Sequence, residues 1–84
     1  MNVLFTAHGW QDYLYWQNND KKTLEKVNAL IRDISRNPDT GIGKPEKLKN
    51  ALTGWLSRRI NLEHRLIYKI DQGIIVIAQC RYHY

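Results

Sequence analysis

The hydrophobic residues of this chain change period once along its length, and that change narrows the folds open to it. After Asp20 the apolar positions are Leu24, Val27, Leu30, Ile31 and Ile34, the spacing that gathers one stripe on one side of an α-helix. From Gly54 onward the period is two. The segments 54–60, 64–70 and 74–82 read as three strands with tight connections, hence an antiparallel meander. Before the helical stripe, Val3 to Phe5 reads as a short strand. Thr6 can cap a first helix whose apolar positions are Trp10, Tyr13, Leu14 and Trp16. Asn18-Asn19-Asp20 breaks that helix, and Asp20 suits the N-cap of the second. Asn37-Pro38-Asp39-Thr40-Gly41 ends it. With 84 residues there is room for one domain, 1–84, with one core.

These elements predict an α+β fold with two N-terminal helices on one face of a mainly antiparallel sheet. In the last strand the even positions Ile74, Val76, Ala78, Cys80 and Tyr82 are apolar or aromatic, and the odd ones turn polar at Gln79, Arg81 and His83. A three-residue turn, Asp71-Gln72-Gly73, would pair Ile70 with Ile74 and align the even faces, as register follows apolar pattern. One sheet face would then lie on the helices, and the other would carry Arg59, Arg65, Arg81 and His83. Trp10, Tyr13, Trp16 and Trp55 are read as core. Lys22, Glu25, Lys26, Arg32 and Asp33 are read as a solvated helix face.

The charge is one-sided. The net charge is +5, yet residues 1–43 hold five basic and five acidic side chains, and the whole excess falls in residues 44–84. Such a distribution suits a polyanion or an acidic protein as partner. No apolar run approaches the ~20 residues of a membrane span. The lone Cys80 cannot form an internal disulfide, which fits a reducing cytoplasm. His8, His64, His83 and Cys80 lack metal-ligand spacing, and the carboxylates do not cluster as a two-metal nuclease requires. No metal or other cofactor is expected. Cys80, on an apolar face, reads as a buried, inert thiol.

What remains is cationic. Cleaving RNA without a metal requires a proton acceptor for the 2′-hydroxyl, fixed positive charge at phosphorus and a proton donor for the departing 5′-oxygen. Glu46, ringed by Lys44, Lys47 and Lys49, should stay ionised and could accept a proton. Arg59 and Arg65 can hold phosphate oxygens with several donors each. His83 belongs to the residue type that ordinarily titrates near ~6.5 and suits proton donation. Each also has a plain reading: Glu46 as a solvated counter-charge, the arginines as sheet surface, His83 as an idle terminal histidine, and His8 and His64 as structural. From pattern alone the chain is a nucleic-acid-binding α/β module with a hint of an enzyme.

The segments DYLYWQ (12–17), GKPEKLK (43–49), SRRI (57–60), EHRLIY (63–68) and CRYHY (80–84) resemble those of the YoeB toxins, in the RelE/ParE superfamily. Trp55-Leu56 stands where that family usually has an aromatic pair, and Lys47 where proline is common. The resemblance implies a microbial-ribonuclease-like fold and a ribosome-dependent endoribonuclease that cuts messenger RNA in the A site and stops translation. It implies Glu46 as general base, His83 as general acid and Arg65 as transition-state cation, with Lys49, Arg59 and Tyr84 positioning RNA or supporting the site. It also implies a cognate YefM-like (Phd-type) antitoxin with an acidic C-terminal segment, the 70S ribosome as the place of action, and a homodimer. The competing readings are a non-catalytic ParE-like inhibitor and a passive RNA-binding module.

Overall fold

The computed structural model describes residues 1–83, and Tyr84 lies outside the described residues. The elements run β1 (Asn2–Phe5), α1 (Ala7–Asn19), α2 (Lys21–Arg36), β2 (Glu46–Lys47), β3 (Leu56–Arg59), β4 (Arg65–Asp71) and β5 (Ile74–Gln79). A single 3₁₀ turn, Asn50–Leu52, precedes β3. The five strands form one sheet in the order β1-β5-β4-β3-β2, with β1 parallel to β5 and the other pairs antiparallel. The two helices pack on one face, so the α+β architecture is the expected one.

Both helices start where their caps predict. The Thr6 side chain accepts from the Gly9 amide, and the Asp20 carboxylate accepts from the Thr23 amide, each satisfying an N–H that the first turn leaves without a partner. The α2 stripe is the centre of the core: Val27, Leu30 and Ile34 have no exposed surface, nor do Leu66, Tyr68, Ile75 and Ile77 beneath them. Each apolar side chain buried in this way contributes about 1.5–3 kcal/mol. Helix α1 lies close against β5, where a side chain at Gly9 would come within 2.5 Å of the Ile77 carbonyl oxygen.

The register of β5 differs from the expectation. The turn has two residues, Gln72 and Gly73, both at positive φ (51° and 77°), the conformation of a type I′ hairpin. Ile70 therefore pairs with Ile75 and Asp71 with Ile74, and the odd residues Ile75 and Ile77 face the helices. Ile74 through Ile77 are all apolar, so pattern did not distinguish the two registers and turn geometry did. A bulge then leaves Ala78 as an extra residue between the Tyr68–Ile77 and Ile67–Gln79 pairs. It switches the parity and returns Cys80 to the core. Trp10 also departs from its reading: it is 47% exposed and stacks on Tyr13 at the rim.

The largest correction concerns Arg58 and Asp33. Alternation in β3 turns Arg59 outward and Arg58 inward, and Arg58 is fully buried. Its Nε donates to the Tyr68 hydroxyl (3.1 Å), and Nη1 donates to Asp33 Oδ2 (2.5 Å) and the Ile42 carbonyl (3.1 Å). Nη2 donates to the carbonyls of Asn37 and Thr40. The five N–H donors of a guanidinium thus meet five acceptors, three of them backbone carbonyls of the 37–42 loop. Tyr68 donates onward to the Pro38 carbonyl (2.7 Å). Asp33, read as solvated, accepts from the Ile42 amide as well (3.1 Å). Gly41 sits against this carboxylate at φ 111°, where a Cβ would fall 2.0 Å from Oδ2.

Removing one partner of such a cluster leaves buried groups unsatisfied. Arg58→Met is expected to cost about 3 kcal/mol in urea unfolding, and Arg58→Lys to recover only part of it, because an ammonium cannot reproduce the fork. The Arg58 guanidinium holds the Asp33 carboxyl below the ordinary aspartate range. A lowered folded-state value gives stability that is complete above about pH 4 and is lost as pH falls through the folded value. The Asp33→Asn variant should therefore be less stable at neutral pH and show a shallower acid limb in a stability–pH curve.

Candidate functional site

The sheet face away from the helices carries the site. Glu46 of β2 pairs with Ser57 of β3, and Arg59 of β3 pairs with Arg65 of β4. Cross-strand partners share a face, so four residues from three strands project on one side without any further packing. Lys44, Glu46, Ser57, Arg59, Arg65 and His83 line one cleft of about 300 Å³. Three cations and one carboxylate thus surround the opening to which the last described residue, His83, is brought. Two positively charged side chains directly opposite each other cost a sheet roughly 0.2–1 kcal/mol. Arg59 opposite Arg65 is an arrangement that an anion relieves.

Each side chain reaches the cleft by a local device. Glu46 follows the loop that Arg58 and Asp33 hold from within, and the Gly43 carbonyl accepts from the Arg59 amide (2.7 Å), tying the loop's end to β3. Arg65 stands at the first position of β4, where its Nη1 donates to the Asn61 (2.8 Å) and His64 (3.1 Å) carbonyls of the β3–β4 turn. That turn is closed by Asn61, whose side-chain oxygen accepts from the Glu63 and His64 amides. His83 is delivered by the chain beyond β5, which crosses α1 with fixed bonds. The Cys80 amide donates to Asp12 Oδ2 (3.1 Å), and Trp16 Nε1 donates to the Cys80 carbonyl (2.7 Å).

Four of the seven residues singled out from the sequence (Glu46, Arg59, Arg65 and His83) meet in this cleft. Lys49 lies on the neighbouring depression of about 340 Å³, which shares Glu46 with it. Arg81 is not on the cleft face. Its guanidinium lies 3.4 Å from the centre of the Tyr15 ring and 4.5 Å from that of Tyr82, so it ties the terminal segment to α1. Strand β5 ends at Gln79 and Arg81 lies in the bend beyond it, so the alternation on which its outward placement relied does not reach it. Tyr84 falls outside the described residues. Lys44 and Ser57 were not singled out. Ser57 was identifiable in principle, two residues before Arg59 on a strand of period two, whereas Lys44 required knowing the course of the loop. Cys80 is the buried thiol expected: burial, with the nearby Asp12 charge, pushes it up to about 12, so it stays protonated.

The family model described as the YoeB-like toxin of bacterial type II toxin–antitoxin systems matches residues 5–84. The YoeB toxin of Escherichia coli K12 is 50% identical, with all of both chains covered. That of Synechocystis is 54% identical over all of this chain and 98% of the relative. Among solved structures, the YoeB/ParE toxin from Agrobacterium tumefaciens superposes with a TM-score of 0.97 at 44% identity, covering all of both chains. The Staphylococcus aureus toxin in a heterotetrameric YoeB–YefM complex superposes at 0.93 with 54% identity, covering 100% of this chain and 98% of that one. YafQ of E. coli, at 17% identity and a TM-score of 0.80 over 98% and 92% of the two chains, shares the fold alone. With a family match over nearly its whole length and half its residues identical to those of named toxins, this chain belongs to the YoeB-like toxins of bacterial type II toxin–antitoxin systems.

Proposed function

We propose that the chain is a metal-independent endoribonuclease that cuts messenger RNA on the ribosome. The observation that carries this reading is the single cleft shared by a carboxylate, two guanidiniums, an ammonium and an imidazole. The Glu46 carboxylate takes the proton of the 2′-hydroxyl, and the freed oxygen attacks the adjacent phosphorus. Arg65, with Arg59 and Lys44 beside it, balances the charge that builds on the non-bridging oxygens. Protonated His83 gives its proton to the departing 5′-oxygen. The products are a 2′,3′-cyclic phosphate and a 5′-hydroxyl, and Glu46 and His83 end with their proton states exchanged. Lys49, in the depression next to Glu46, holds the flanking strand.

An open cleft of this size grips only a short piece of RNA. Messenger RNA held in a vacant A site arrives already ordered, so the ribosome supplies the positioning that the small domain lacks. The excess of positive charge suits an acidic antitoxin segment as well as RNA. The YoeB–YefM complex and the YoeB dimer of S. aureus support a YefM-like antitoxin and a second copy of this chain as partners.

Purified ribosomes with message in place and an empty A site should yield message cut in the A-site codon when this protein is added. Glu46→Ala and His83→Ala should each slow the cut by about 10²–10⁴-fold. Intact message together with accumulating cleaved DNA would point instead to a ParE-like inhibitor, and salt-sensitive binding without any cut to a passive RNA-binding module. The paired arginines make a second test. Arg59→Thr relieves the like-charge pair, so it should raise urea stability by up to about 1 kcal/mol while lowering the cleavage rate. A loss of both would mean that Arg59 serves the fold instead of the reaction.

A further inference from the structure

His64 is the one histidine buried in the fold, 9% exposed, on the turn that also presents Arg65. Its ring stands edge-on to Trp16, with centroids 4.8 Å apart. Its Nδ1 lies 2.7 Å from the backbone nitrogen of Tyr82. An amide N–H only donates, so this ring nitrogen is the unprotonated one and the ring proton sits on Nε2, the atom 3.6 Å from Glu63 Oε1. On its other side Tyr82 is held by Arg65, whose amide donates to the Tyr82 carbonyl (2.9 Å). Between these two bonds Tyr82 adopts φ 66°, a left-handed conformation that a tyrosine does not take unaided. The next residue is His83. Two consecutive residues, His64 at the end of the β3–β4 turn and Arg65 at the start of β4, therefore hold the backbone from which the His83 imidazole enters the cleft.

We propose that His64 is a positioning residue: by accepting the Tyr82 amide proton it sets the imidazole of His83 against the guanidinium of Arg65. The proposal deepens the nuclease reading and rests on it for the part His83 plays. A hydrophobic side chain of similar size would fill the space beside Trp16 and leave the partly buried Tyr82 amide without this acceptor. An asparagine places an oxygen where Nδ1 stands.

The test combines single-turnover cleavage on ribosomes carrying message and an empty A site with ¹⁵N NMR of the free protein. His64→Leu should lower the rate at saturating protein on the order of ten- to a hundredfold while leaving half-saturation within about twofold, since misplacing one catalytic group by about an ångström has that effect. His64→Asn should restore most of the rate. In the spectra, His64 Nδ1 should appear as an unprotonated nitrogen, and the Tyr82 amide should shift in His64→Leu and return in His64→Asn. Wild-type rate in His64→Leu, no recovery in a folded His64→Asn, or a proton on Nδ1 in the wild type would each overturn the proposal. Should His64→Leu not fold, the wild-type tautomer and the His64→Asn rate still decide. A His83→Ala arm separates the two readings: if that variant cleaves normally the role of His83 fails, whereas the tautomer and the Tyr82 amide shift report on His64 alone.

Discussion

A buried guanidinium is the interaction on which the rest of this molecule depends. The path from α2 to β2 contains no regular structure between Arg36 and Glu46, and backbone of that kind needs partners wherever it leaves water. Arg58 provides them from inside, Nη2 engaging two loop carbonyls and Nη1 a third together with Asp33. The charge is acceptable there because it is paired and fully hydrogen-bonded, the condition for burying a cation. A hydrophobic residue at 58 would fill the volume and release the loop, and with it the approach to Glu46.

The neighbouring residues 58 and 59 divide the labour of the sheet. The inward arginine organises the loop, and the outward arginine stands opposite Arg65 at the cleft. The same economy recurs at 64 and 65, where one side chain turns into the fold to hold the terminal segment and the next turns out to face the cleft. Strand alternation achieves the first, whereas the second depends on the Asn61-closed turn that precedes β4. As a result, the loop, the hairpin and the terminal segment, far apart in the chain, converge on one opening through interactions made on the opposite side of the backbone. A like-charge pair where β3 ends and β4 begins stands out in an otherwise well-satisfied sheet, and it suits the anionic substrate proposed for that opening.

Much of this was legible before any coordinates. The helices, their Thr6 and Asp20 caps, the α2 stripe and the meander follow from local rules, because periodicity and capping act over a few residues. Glu46, Arg59, Arg65 and His83 were identifiable as candidates from charge and residue type, and the family resemblance carried in their motifs ordered them. The register of β5 was not legible, because an uninterrupted apolar run from Ile74 to Ile77 satisfies either parity. The departure of Arg81 followed from the end of β5 at Gln79, since a period of two continues through Cys80 and Arg81 in the sequence and marks no stop there. Asp33 looked like any charge on a solvated helix face, since its partner lies 25 residues away in sequence.

The sequence by itself determined the order of elements, the composition of the core stripe, the one-sided charge and the membership that its motifs declare, since each is written in residues close together. The tertiary structure alone decided which of two adjacent arginines is structural, that His64 meets the Tyr82 amide, and that side chains 46, 59, 65 and 83 share one cleft. Those are matters of long-range pairing, in which a side chain's chemistry is set by partners that only folding brings within reach.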